Sequence, residues 1–171
     1  MTSGGNAHRV FWPLALVWVC LDFLTKRWAE GALLPTPALA VLGDWLRLRL
    51  VYNPGAAFGL HLGAYSRWIF LVISTVAVIG IGWRARGADW NEWPRQLGAA
   101  LVVGGAAGNL IDRIRSGMGV VDFIDMGIGA TRWPTFNVAD MGVSCGAVVL
   151  AISFWMEDTR RAREAAQTAP S

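Results

Sequence analysis

Two aspartates in this sequence could do chemistry together: Asp122 in Val120-Val121-Asp122-Phe123, and Asp140 closing Phe136-Asn137-Val138-Ala139-Asp140. Each lies beside a long apolar segment, where a carboxylate is costly unless it is neutralised, paired or wetted. Two carboxyls brought close cannot both ionise comfortably, so one keeps a proton while the other stays a base. Amide hydrolysis needs that equipment: a carboxylate to activate water and an acid to protonate the leaving nitrogen. A proton path and plain helix-end architecture are the competing readings. Asn137, three positions before Asp140, has the spacing of an N-cap, with Asp140 at the positive end of the helix dipole. Asp122 has no comparable helix start around it.

Three further polar clusters interrupt the apolar text: Asp22-x-x-Thr25-Lys26, Asn53-Pro54-Gly55-Ala56-Ala57-Phe58-Gly59, and Gly108-Asn109-Leu110-Ile111-Asp112-Arg113. Asp22 and Lys26 are four apart and can pair on one helix face. Asp112 has Arg113 and Asn109 beside it, which predicts an Arg-paired, permanent anion rather than a shared proton. Asn53 and Gly55 mark a turn, either as loop punctuation or as an amide and freed backbone groups that hold an extended chain. Gly104, Gly105 and Gly108 lie inside an apolar span with no strand before them. They read as close-packing residues rather than a phosphate loop. A Ser/Lys dyad would have to use Lys26, the only lysine. The two histidines, His8 and His61, have no metal-ligand spacing around them.

The elements that must position these groups look like membrane helices. Of 171 residues, 54% are hydrophobic and 16% charged, against about 25% charged in soluble domains, so lipid is the main solvent. Four apolar segments, at about 10–28, 68–83, 97–114 and 138–156, have the length of spans. The expected fold is therefore a membrane all-α bundle of four transmembrane helices in a single domain, with the Gly-rich third helix the most enclosed. Several Trp (12, 28, 68, 83, 133 and 155) lie at segment ends, as interface anchors do. Between helices 1 and 2, about 31–67, the alternation of Leu46-Arg47-Leu48-Arg49-Leu50-Val51-Tyr52 predicts a strand in a small interfacial β-rich region. The stretch from Arg115 to Thr135 reads as Gly-rich and carries Asp122 and Asp125. Cys20 and Cys145 fall inside spans and are expected to be buried packing residues. The net charge of +3 is mild, and no basic stripe argues for nucleic acid.

Lys26-Arg27 after the first apolar run is a poor cleavage context, so that run is expected to stay as a helix. Charge alone does not orient the chain. Arg9, 84, 86, 95, 160, 161 and 163 lie on one side, and the other eight Lys or Arg on the opposite side. The Arg160-Arg161-Ala162-Arg163 cluster is the clearest cytoplasmic mark and puts both termini inside. The tail from about 164 to 171 is expected to be disordered.

All five clusters converge on one membrane face. In this order over four predicted helices they resemble lipoprotein signal peptidase (signal peptidase II), the bacterial aspartyl peptidase of prolipoprotein maturation. The likeness covers about residues 14–156 and departs at Pro54, where the family often has another residue. It implies Asp122 and Asp140 as the catalytic pair. It implies Asp22, Asn53, Asn109, Arg113 and Asn137 as the surrounding polar residues, and together with Lys26, Gly55 and Asp112, read from their spacing, these are the expected substrate-binding or supporting residues. It further implies diacylglyceryl-modified prolipoproteins as substrates, cut before the lipidated Cys, in the bacterial cytoplasmic (inner) membrane with the active site toward the outer face. Membrane lipids and cyclic-peptide inhibitors such as globomycin are the other implied partners, with no metal or organic cofactor.

Overall fold

Among the described residues, apolar side chains at helical spacing build four long helices, and a small antiparallel sheet lies at one end of them. A computed structural model describes residues 7–33, 38–55, 63–85 and 92–168. The elements are α1 (Ala7–Ala32), β1 (Leu39–Leu42), β2 (Leu46–Asn53), a short 3-10 turn (Gly63–Tyr65), α2 (Ser66–Arg84), α3 (Trp93–Arg115), β3 (Val120–Ile128), β4 (Thr131–Arg132) and α4 (Val138–Thr168). Three of the helices, α2, α3 and α4, are long and apolar enough to cross a membrane. α1 is not among them; its second half carries Asp22, Lys26, Arg27 and Glu30.

The helices run further than their apolar cores. The largest difference is in α4, which continues to Thr168, so the stretch from Glu164 is helical where a disordered tail was expected. From Glu157 to Thr168 there is no Gly or Pro, and the run is mostly Arg, Ala, Glu and Gln, which propagate a helix readily. Parts of the predicted clusters, namely Ala56 to Gly59, Pro35, Pro37 and His61, lie outside the described residues.

α3 is the enclosed helix, packed against α1, α2 and α4. Its small residues permit this. A methyl on Gly104 would meet the Ala15 carbonyl of α1 at 2.9 Å, and one on Gly105 would strike the Ala139 carbonyl of α4. The buried apolar residues are mostly small, while large ones such as Leu16, Leu24, Ile79 and Val148 face outward, the arrangement of a bundle solvated by lipid. The six Trp at segment ends are all 41–76% exposed, as anchoring requires. Cys20 and Cys145 are also exposed, not buried: both lie on outward helix faces, where a thiol meets lipid instead of protein.

The sheet has the order β1-β2-β3-β4. β2 is the strand predicted from alternation. Its partner β3 lies in the stretch expected only to be Gly-rich, although Val120-Val121-x-Phe123-Ile124 is a β-forming run. The antiparallel register sets Val51 opposite Asp122 and Asn53 opposite Val120, with an irregularity between Leu48 and Val51. Gly119 has φ +111°, and a side chain there would run into the Asn53 backbone. Only glycine lets β3 leave α3 this close to β2.

Candidate active site

The C-terminal ends of α1 and α3, the first turn of α4 and the start of β3 meet beneath the sheet, and the polar clusters meet with them. Asp122 is 1% exposed and Asp140 7% exposed. Asn137 joins the two. Its side-chain amide donates to Asp122 Oδ1 at 2.7 Å, and its backbone N–H donates to Asp140 Oδ2 at 3.3 Å. In return its own Oδ1 accepts the Asp140 N–H at 2.9 Å. This is a reciprocal capping box, so the helix-cap reading of Asn137 holds and also aims the Asp140 carboxylate.

Each carboxylate takes a second amide. Asn109 Nδ2 donates to Asp140 Oδ1 at 2.8 Å, and Asn53 Nδ2 donates to Asp122 Oδ2 at 2.9 Å. Asn53 is oriented by Gly55, whose N–H donates to Asn53 Oδ1 at 2.9 Å, an Asx turn. Burial pushes the Asp122 carboxyl up to about 7, and the neighbouring Asp140 charge pushes the same way. The amides of Asn53 and Asn137 and the Lys26 ammonium pull it down. Burial exceeds the pull, so Asp122 titrates near neutrality.

Beneath the pair lies a buried ionic cluster. The Lys26 Nζ sits 2.7 Å from Asp22 Oδ2 and 3.0 Å from Asp112 Oδ2, and it donates to Asn109 Oδ1 at 2.9 Å. The predicted Asp22–Lys26 pair is therefore present. The predicted Asp112–Arg113 pair is not: Asp112 pairs with Lys26 and with Arg115 at 3.2 Å. Adjacent residues on a helix point in different directions, whereas Arg115 lies three positions on. The Arg113 guanidinium instead donates to the Asn109 carbonyl at 3.1 Å and to the Gly55 carbonyl at 3.2 Å. Arg113 thus ties α3 to the Asn53–Gly55 turn, and its charge faces both Asp140 and Asp122.

Asp125, the second acid of β3, is buried but belongs elsewhere, with Arg132 Nε at 2.7 Å. All ten residues singled out in the sequence are thus at or next to one site, joined by hydrogen bonds or ion pairs.

Two cavities open beside the pair. One of about 230 Å³ reaches Asp122 from the sheet side, between Arg49, Val51, Asn53, Pro54 and Thr135. The other, about 190 Å³, reaches Asp140 past Trp133, Phe136, Met141, Ser144 and Cys145 and is lined mainly by apolar groups. Of these lining residues only Asn53 is among the ten expected at the site; Pro54 and Phe136 belong to the same polar clusters, and the rest carry no chemical signal in the sequence. Helical spacing held the clue for some of them, since Ser144 is four after Asp140 and Cys145 four after Met141.

The family model described as "Signal peptidase (SPase) II" matches residues 14–156. This chain belongs to the signal peptidase II family. Among its relatives, the lipoprotein signal peptidase of Hydrogenovibrio crunogenus is 45% identical over 152 residues, covering 84% of each chain. That of Syntrophomonas wolfei is 35% identical over 158 residues, covering 91% of this chain and 99% of the other. The fold resembles a bacterial membrane enzyme solved by the in meso method at 2.3 Å. Its TM-score is 0.76 and its identity 26%, over 86% of this chain and 88% of the other. A second such enzyme, solved at 1.9 Å, has a TM-score of 0.71 and 28% identity over 82% and 89%. As a signal peptidase II, the chain is a multi-pass membrane peptidase of the aspartic type.

Proposed function

We propose that Asp122 and Asp140 form the aspartic dyad of a signal peptidase that removes the signal peptide from diacylglyceryl-modified prolipoproteins, cutting before the lipidated Cys. The observation that carries this reading is the single residue, Asn137, that donates to both buried carboxylates. With one proton on the pair, the ionised carboxylate takes a proton from water as the water oxygen attacks the scissile carbonyl. The protonated carboxyl then gives its proton to the leaving nitrogen as the C–N bond breaks. The titration belongs to the pair rather than to either residue. Arg113, buried and facing both carboxylates, and the Asn53–Gly55 turn hold the substrate chain and offset developing negative charge.

The two cavities divide the substrate. The peptide enters along the sheet side at Asp122, and the lipid arm lies against Trp133, Met141 and Cys145 beside Asp140. In this reading α1 is the fourth span. Its outward face carries Trp12, Leu16, Val17, Leu21, Leu24 and Trp28, all at least 41% exposed, while Asp22 and Lys26 point inward. The enzyme lies in the bacterial inner membrane, with both termini cytoplasmic and the dyad toward the outer face. A cyclic peptide such as globomycin competes for the same groove and should raise the melting temperature of the purified enzyme, as any ligand of the folded state does.

The test is cleavage of a lipidated precursor by purified, folded Asp122→Asn and Asp140→Asn variants. Each should lose about 10³-fold or more in turnover, the size of a general acid–base contribution. Near-wild-type turnover in either would sink the dyad. Asp112→Asn is the contrast: an equal loss there in a folded protein would move the chemistry to another acid.

A further inference from the structure

Lys26 is 1% exposed and sits at the centre of three arms that end on the dyad. Through the first arm it holds Asp22, whose Oδ1 accepts the N–H of Ala139 at 2.8 Å, the residue immediately before Asp140. The second arm is Asp112, whose Oδ2 accepts the N–H of Val121 at 3.2 Å, the residue immediately before Asp122. The third is Asn109. Its oxygen accepts from the ammonium, and its NH₂ is thereby turned to Asp140 Oδ1. An ammonium only donates and a carboxylate only accepts, so Lys26 fixes which way this amide points. Asn137 also donates to Asn109 Oδ1, at 3.1 Å. However, its two hydrogens serve three acceptors, the others being the Val121 carbonyl and Asp122. Of these two donors to Asn109 Oδ1, Lys26 is the one that does not also serve a dyad carboxylate.

Charge balance alone does not explain this arrangement. Asp112 already has Arg115 at 3.2 Å, and a buried pair of charges is poor evidence of stabilisation. The two acids also use their remaining capacity on the backbone N–H groups next to the two catalytic residues, on two different elements.

We propose that Lys26 is a positioning residue for the reaction, a central tie that sets the spacing and orientation of the Asp122 and Asp140 carboxylates from three directions. The proposal rests on the dyad reading above. It adds that α1, which supplies neither catalytic acid, determines how well the pair works.

Two variants remove the ammonium geometry without leaving Asp22 or Asp112 as a carboxylate that lacks a cation. Lys26→Arg keeps the cation but spreads its donors over a planar fork. The combined Asp22→Asn, Lys26→Met, Asp112→Asn protein removes all three charges and keeps an acceptor for each backbone N–H. Both should melt cooperatively in detergent. Turnover of the lipidated precursor at saturation should fall about 100-fold, the scale of a small misplacement of reacting groups, while KM stays within about threefold. A folded variant of either kind with wild-type kcat would overturn the proposal, as would a raised KM with kcat intact. If only one of the two folds, it decides alone. If neither folds, Lys26 serves the fold and the proposal falls. Asp122→Asn and Asp140→Asn in the same assay keep the two questions separate: their retained activity would remove the dyad itself, whatever the Lys26 variants do.

Discussion

At the scale of single residues, the site is a set of acids that differ in their surroundings. Asp22 and Asp112 face a lysine and backbone N–H groups and accept from both. Asp122 faces amides and another carboxylate, and burial raises it to about 7. That shift is also a statement about stability. A carboxyl whose folded value lies above its unfolded one, about 3.9, binds its proton more tightly when folded. Its contribution is full below pH 4 and lost as pH rises through 7. Asp122→Asn, a neutral stand-in for the protonated acid, should therefore be more stable than wild type above pH 7, while the gap closes toward pH 4. Melting temperatures across that range check this, and a constant gap would contradict it. The residue pattern was readable because lipid-embedded acids have so few bland explanations. The partner of Asp112 was misread because sequence adjacency is not adjacency on a helix.

At the scale of elements, close backbone approach holds the acids together. Gly105 of α3 lies against the Ala139 carbonyl and Val143 of α4, in the turn that carries Asp140. Gly105→Ala should push the two helices apart, costing about 1–3 kcal/mol as overpacking does and lowering activity with it. Gly80→Ala on α2, where a methyl meets nothing within 4 Å, should leave the melting temperature close to wild type. Equal melting temperatures for the two variants would contradict the packing account. The apolar runs of α2, α3 and α4 and the alternation of β2 were legible because each has a period. β3 is not, because the six residues it pairs with β2 have partners 67 to 80 positions away and the flanking glycines mask its β-forming run. The far end of α4 is not legible because Glu164-Ala165-Ala166-Gln167 has no apolar face to signal a helix, although each of these residues is a good helix former.

At the scale of the whole molecule, lipid inverts the usual sorting. Large apolar side chains cover the outside, and the buried polar residues gather at the site end of the bundle. A second ion cluster, with Arg95 beside Glu157, closes the opposite end. The proposed orientation puts the exposed Met118, next to the sheet, outside the cell and Arg163 inside. A membrane-impermeant maleimide should label Met118→Cys in intact cells and Arg163→Cys only after lysis; the reverse pattern would invert the topology. The central claim is that one proton is shared by Asp122 and Asp140 near neutrality, and its most direct measurement is the pH dependence of kcat/KM on a lipidated precursor. That ratio reports the titration of the free enzyme, and it should fall through a single-proton step centred near pH 7, where the pair gives up its shared proton. A kcat/KM that stays level from pH 6 to pH 9 would contradict the account.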